Sequence, residues 1–244
     1  MAYSVPLYLT SASIDDSHLQ FTWDDWRASD VFQYNPDGIL AKAGGLTPRA
    51  KVVVGIGMYE WIMWRFRSVS EDPVPLQIAE AAWCASVDRT YMEYIEFGRR
   101  NWLGPVRGPL WCAMTWLIPL VFSGEHNPEE CESGLTYLPR LAMHVLPRPA
   151  AFESWLQGTL DRLVQWYPAP PEDPFEDPLN EREEERRGPW VAREVLDPEF
   201  AYEPERAAEL VSRYLRSVDP RSNPFLRSPD EMKRRGFNGS PYVL

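Results

Sequence analysis

The chain has 244 residues, of which 44% are hydrophobic, and its 25 Lys and Arg against 36 Asp and Glu give a formal net charge of −11. This share of apolar and aromatic side chains excludes a disordered chain, and the length allows one large domain or a domain with a small appendage. Because an acidic protein is repelled by phosphate groups, we expect no direct binding to nucleic acid and no membrane surface as a partner.

Residues 1–46 form the first segment. Apolar side chains alternate with others over residues 3–9 and again over residues 19–23, with a polar stretch between them. This period of two predicts a small N-terminal β element, which we expect to pack on the rest of the protein. The N-terminus has neither a basic start nor a long apolar run, so we predict no secretory signal and a cytoplasmic location.

Residues 47–166 are predicted to be a helical core. The recurring signal is a polar residue followed by proline, which is typical of helix starts. We expect helices from 48 to about 68, from 75 to 98, from 109 with a kink or end at Pro119, from 128, over 135–146, and from 149 to about 166. The uncharged run 109–122 is shorter than the roughly 20 residues that span a bilayer, which favours a buried core helix.

Residues 167–187 are predicted to be an acidic, proline-rich linker, since five prolines and eight carboxylates leave little to form a core. Residues 188–244 are predicted to be a C-terminal helical extension. One helix begins near Pro204, and Ser228 with Glu231 forms a capping box for a second, which Gly236 ends. The predicted fold class is therefore mainly α, with a single multi-helix core.

The cysteines offer little chemistry. An odd number, at positions 84, 112 and 131 and without a C-x-x-C pair, predicts buried, reduced thiols. His126 and Cys131 lie in a carboxylate-rich run that contains possible zinc ligands, and Cys131 with His126 or His144 is the one nucleophilic pair to consider. Because Asn127 and Pro128 explain the same run as a helix start with acids in its first turn, we expect no metal and no other cofactor.

Two pairs of acidic residues beside two tryptophans form the candidate partner-binding site. Its residues are Asp15, Asp16, Trp23, Asp24, Asp25 and Trp26. Tryptophan anchors ringed by charge are typical of interface hot spots, and carboxylates suit a basic partner. Two alternatives remain open: a solvated loop with its tryptophans turned inward, and the first turn of a helix.

The sequence contains no G-x-S-x-G, Walker A or H-E-x-x-H motif. We therefore predict a non-catalytic binding protein of the immunity or inhibitor type, which masks a basic protein partner such as a toxin domain. One alternative is an adaptor or structural subunit of a larger assembly, with the linker and tail wrapping a neighbour. A second alternative is an enzyme with a dispersed site near His126 and Cys131.

Overall fold

The computed structural model describes residues 4–10, 12, 14, 16, 18–123, 127–170 and 183–244. Within these residues the protein is mainly helical, as predicted, and short 3-10 turns connect several of the helices. The α-helices are α1 (Leu7–Thr10), α2 (Asp37–Gly44), α3 (Pro48–Arg65), α4 (Val74–Ala85), α5 (Gly104–Ser123), α6 (Pro128–Val145), α7 (Pro149–Trp166), α8 (Glu183–Arg187), α9 (Ala207–Ser217) and α10 (Pro229–Arg234).

The N-terminal β element predicted within residues 1–46 is wrong. The described part of the chain contains isolated bridges but no strand, and what is described of residues 1–46 contains α1, a 3-10 turn at Ala28–Val31, α2 and irregular backbone. The alternation of apolar and polar residues in the sequence does reflect burial, because the side chains of residues 21–26 are alternately partly buried and exposed. The segment is held by side chains instead: the buried guanidinium of Arg65 donates to the carbonyl oxygens of Asp16 and His18.

Helix α3 is the centre of the core, and every residue in it except Pro48 and Lys51 is buried. A helix that is apolar on all sides is covered on all sides, and α3 packs against α4, α5, α6 and α7. Leu120 of α5 lies between Gly55 of α3 and Gly134 of α6. A Cβ atom at Gly55 would lie 2.2 Å from Leu120 Cδ2, and one at Gly134 would lie 3.0 Å from Leu120 Cβ. These glycines let the three helices approach closely.

Several predicted helix starts are confirmed. Helices α3, α6 and α7 each begin with the proline that marked them, and the side chain of Asn127 accepts a hydrogen bond from Glu129 N at 3.1 Å. The capping box is also present, because Ser228 and Glu231 bond each other's backbone N–H groups. Helix α6 runs without a break to Val145, so the short element expected over 135–146 is its second half.

Two other helices depart from the prediction. Helix α4 ends at Ala85 rather than near Gly98, because Asp88 caps a separate 3-10 turn by accepting from Thr90 N at 2.7 Å. Helix α5 begins five residues before Pro109 and continues past Pro119. Among the described residues α5 is the one helix long and apolar enough to cross a membrane, but 56% of its most apolar window is buried, as expected of a core helix.

Both ends of the predicted linker that the structure describes lie against the helical body; residues 171–182 lie outside the described part. At the first end, Thr47 N donates to Tyr167 O at 3.0 Å and Ala169 N donates to Gly45 O at 2.8 Å. At the second end, Arg187 Nη2 donates to Val87 O at 3.3 Å. Directly after the linker, Arg49 donates to Gly188 O and its guanidinium lies 3.8 Å from the ring centroid of Trp190. The C-terminal extension is thus anchored to α3.

Candidate partner-binding surface

Two of the six predicted binding residues, Trp23 and Asp25, attach the N-terminal segment to α5. The Trp23 indole donates from Nε1 to Asp25 Oδ1 at 2.8 Å and packs so closely on Gly108 that a Cβ there would lie 2.3 Å from Nε1. The two oxygens of Asp25 also accept from Gly104 N at 3.1 and 3.0 Å. Since Gly104 is the first residue of α5, the Asp25 carboxylate caps that helix from a distant part of the chain.

Asp16 is likewise engaged locally. Its Oδ1 accepts from His18 N at 2.8 Å, and hydrogen bonds from His18 lower the pKa of the Asp16 carboxyl below its usual value. Its neighbour Asp15 lies outside the described residues. Asp24 is exposed, and its Oδ1 accepts from Trp26 N at 2.8 Å, which fixes the turn that presents Trp26.

Trp26 differs from the other predicted residues because its side chain is 78% exposed. The Arg99 guanidinium lies 4.8 Å from the Trp26 ring centroid and 5.2 Å from that of Trp111, so the cation stands between two indoles. The Trp111 indole is itself fixed by donating to Phe97 O at 2.7 Å. A guanidinium over an aromatic face is attracted by the ring, so Trp26 is held in place while remaining open to solvent.

A second exposed aromatic lies along the same helix. Tyr94 is 48% exposed and packs edge-on against Phe122 of α5, with ring centroids 5.3 Å apart. Trp111 and Phe122 are eleven residues apart, which is three helical turns, so they share one face over about 16 Å. We call the exposed and partly buried set along this face the α5 strip: Trp26, Arg99, Trp111, Tyr94 and Phe122.

The charge along the α5 strip is uneven. Near Trp26, the carboxylates of Asp24 and Asp25 are accompanied by guanidinium groups of Arg27, Arg99 and Arg100. Near Tyr94, burial and the carboxylates of Glu96 and Glu130 raise the pKa of the phenol, and Tyr94 Oη donates to Glu96 Oε1 at 3.4 Å. The acidic part of the strip is therefore its Tyr94 end. The sequence analysis had instead assigned the acidic contact to the residues that neighbour Trp26 in the chain.

The cysteine and histidine chemistry finds little support. Cys131 is buried, and burial raises the pKa of its thiol, which keeps it protonated and weakly nucleophilic at neutral pH. His144 Nε2 lies 2.8 Å from Thr22 O and its ring packs between Phe21 and Phe32. His126 lies outside the described residues, and among those that are described no three His, Cys, Asp or Glu side chains are grouped for a metal ion.

Sequence reasoning missed one buried polar cluster, which is centred on Glu60. Glu60, in the middle of α3, is fully buried and accepts from Trp83 Nε1 at 2.9 Å and from the Tyr8 hydroxyl. Its Oε1 also lies 2.9 Å from an Arg193 guanidinium nitrogen. The cluster joins α1, α3, α4 and the C-terminal extension. A glutamate among tryptophans in a helical run was the only signal that could have indicated it.

Beside this cluster a surface pocket of about 310 Å³ opens between α1 and α7. Tyr8 and Trp155 stack on one another at its wall, with ring centroids 5.3 Å apart, and the ring centroid of Trp61 lies 5.5 Å from that of Trp155.

Comparison of the chain with models of protein families, with curated proteins and with solved structures finds no match.

Proposed function

We propose that this protein is a non-catalytic binding protein of the immunity or inhibitor type, which masks a basic protein partner such as a toxin domain. The observation that carries the proposal is the exposure of Trp26. All eleven tryptophans lie in the described residues, and the other ten are buried or partly buried. A large aromatic side chain held open to solvent is typical of a binding hot spot.

The geometry of the α5 strip supports a protein as the partner. Its two exposed rings contact α5 at Trp111, through Arg99, and at Phe122, positions about 16 Å apart along one helix face, a span that suits a protein surface better than a small molecule. Both rings are held in place, Trp26 by Arg99 and Tyr94 by Phe122, so little side-chain freedom is lost on binding.

The charge supports a basic partner. The net charge of −11 attracts a cationic protein over long range, and the acids beside Tyr94 can pair with its Lys or Arg side chains at contact. The guanidinium groups near Trp26 make the other end of the strip mixed in charge. We therefore expect Trp26 to act as an apolar anchor and the Tyr94 end to provide electrostatic attraction.

The experiment compares three baits in native extract: the wild-type protein, Trp26→Ala, and Phe200→Ala. Phe200 is a matched control because it is an exposed aromatic, at 40%, outside the strip. We expect a basic protein that wild type and Phe200→Ala retain and that Trp26→Ala loses. The purified complex should then dissociate at least about tenfold faster with Trp26→Ala, since a hot-spot tryptophan contributes about 2 kcal/mol or more.

The alternatives give different results. A partner retained equally by all three baits contradicts the α5 strip as the interface and favours an adaptor with another surface. A partner that is acidic, or whose association rate does not fall as salt is raised, contradicts the electrostatic part of the proposal.

A further inference from the structure

The pocket beside the Glu60 cluster has two chemically distinct sides. One side is aromatic and consists of Tyr8, Trp61 and Trp155. The other side is a face of α7, on which Ser154, Gly158 and Arg162 recur every four residues. At about 310 Å³ the pocket is at the small end of the range for ligand sites and holds about ten water-sized volumes, which matches a molecule with two fused rings.

Gly158 is the first sign that the pocket is kept open. It lies in the interior of α7, where glycine is less favourable than alanine. At Gly55, Gly108 and Gly134 a Cβ atom would lie within 2.2 to 3.0 Å of a neighbouring side chain, so packing explains those glycines. At Gly158 the nearest atom to such a Cβ is Arg162 Nη1 at 3.8 Å, so packing gives no reason for a glycine there.

Hydrogen-bond donors without partners are the second sign. Trp61 is almost fully buried, and its Nε1 has no hydrogen-bond partner among the described residues. Arg162 uses Nε for Val195 O and Nη2 for Thr159 Oγ1, each at 3.2 Å, while its Nη1 bonds no residue that the structure describes. The Trp61 nitrogen is closed off from solvent, whereas Arg162 is only partly buried, so Arg162 Nη1 is the donor that an acceptor entering the pocket can reach.

The walls of the pocket are fixed before any ligand arrives. The Tyr8 hydroxyl donates to Glu60, and Trp155 Nε1 donates to Leu196 O at 2.8 Å. The two bonds of Arg162 hold its guanidinium over Gly158. A nearby carboxylate, that of Asp197, already accepts from Glu199 N at 2.9 Å through Oδ1. Preformed walls of this kind lower the entropy lost on binding.

From these observations we infer that the pocket binds a small aromatic carboxylate, with its rings against Tyr8, Trp61 and Trp155 and its carboxylate on Arg162 Nη1. The inference is independent of the α5 strip, and its failure would leave the proposed protein partner untouched.

The test measures binding of 2-naphthoate and of its neutral counterpart 2-naphthamide to the full chain by calorimetry. We expect saturable binding of the acid and at least about tenfold weaker binding of the amide, since the amide cannot form a charge-assisted hydrogen bond with the guanidinium. Equal binding of the two would overturn the assignment of a carboxylate. The absence of saturable binding of either probe at about millimolar concentration would overturn the site.

Two variants locate the binding. Gly158→Leu adds a side chain on the pocket wall, where its Cβ would meet only Arg162 Nη1 at 3.8 Å, and should abolish binding, whereas Gly38→Leu adds the same side chain on α2, where its Cβ would meet nothing within 4 Å, and should leave binding unchanged. Arg162→Gln should weaken the acid at least about tenfold and bring it level with the amide. Circular dichroism and thermal melting establish that each variant is folded. A folded Gly158→Leu variant that binds as wild type does would contradict the inference.

Discussion

Asp25→Ala tests whether this carboxylate belongs to the fold or to the interface. In the structure Asp25 accepts from Trp23 Nε1 at 2.8 Å and from Gly104 N at about 3 Å, and it is partly buried. Loss of a helix cap costs about 0.5–2 kcal/mol, and loss of a hydrogen bond to a charged group costs about 1.5–3 kcal/mol. Because solvent reaches part of the site, we expect a loss of about 2–3 kcal/mol in the free energy of unfolding.

Urea unfolding measures that loss directly. For a chain of this length it corresponds to a fall in Tm of roughly 4–12 °C. Asp24→Ala is the matched control, because Asp24 is exposed and its carboxylate bonds, among the residues that the structure describes, only the neighbouring Trp26 N, so its loss should stay below about 0.5 kcal/mol. If both variants unfold at the same urea concentration, Asp25 does not cap α5, and its carboxylate would again be a candidate for partner binding.

Three further outcomes are expected. Glu60→Gln should lower the free energy of unfolding by about 3–5 kcal/mol in urea, because it leaves the Arg193 charge without its buried carboxylate, and no loss would refute the pairing. In thermal melts Gly55→Ala should destabilise by about 1–3 kcal/mol through its clash with a buried leucine, whereas Gly158→Ala should stabilise by about 1 kcal/mol; equal shifts would contradict the packing argument. Burial raises the pKa of Cys112 from 9.0 to about 12, so above pH 9 the unfolded thiol ionises while the folded one does not. Wild-type stability should then fall by up to about 1.4 kcal/mol per pH unit more than that of Cys112→Ala, measured as unfolding free energy against pH.

The parts of the fold that the sequence predicted are those decided by local chemistry. A cap followed by proline satisfies the first N–H groups of a helix wherever the rest of the chain lies, which is why the starts at Pro48, Pro128 and Pro149 were correct. The end of α4 depended on Asp88 and on the path of residues 92–103 over α5, neither of which appears in a short window of sequence.

The N-terminal segment shows how a correct burial pattern leads to a wrong structure. Alternate burial over residues 21–26 needs only a surface to lie against, and here helices provide it. A strand also needs a neighbouring strand that bonds its backbone groups. Here the side chains of Arg65 and His144 bond backbone carbonyl oxygens of the segment instead. Periodicity reports which side chains are covered and does not report what satisfies the main chain.

The same limit applies to the candidate site. Composition predicted Trp23 and Trp26 as equivalent anchors, but Trp23 packs on Gly108 whereas Trp26 is open to solvent. Their difference depends on α5, about 80 residues away in sequence. Tyr94 lies in a stretch that was predicted to be helix and is instead extended, and Arg99, just past the predicted helix end, lies in a 3-10 turn.

The buried arginines of α3 bear on how the chain can be divided. Arg65 bonds the backbone near the N-terminus, and Arg49 bonds the backbone of Gly188. A fragment cut to residues 47–166 would keep both cations and Val145 O, which accepts from Arg65 Nε, but would lose the carbonyl oxygens of Asp16, His18 and Gly188. Such a fragment should expand or aggregate when expressed alone. The N-terminal and C-terminal segments thus supply hydrogen-bond acceptors to the buried charges of the helical body. Truncated versions of this protein therefore need to retain both segments.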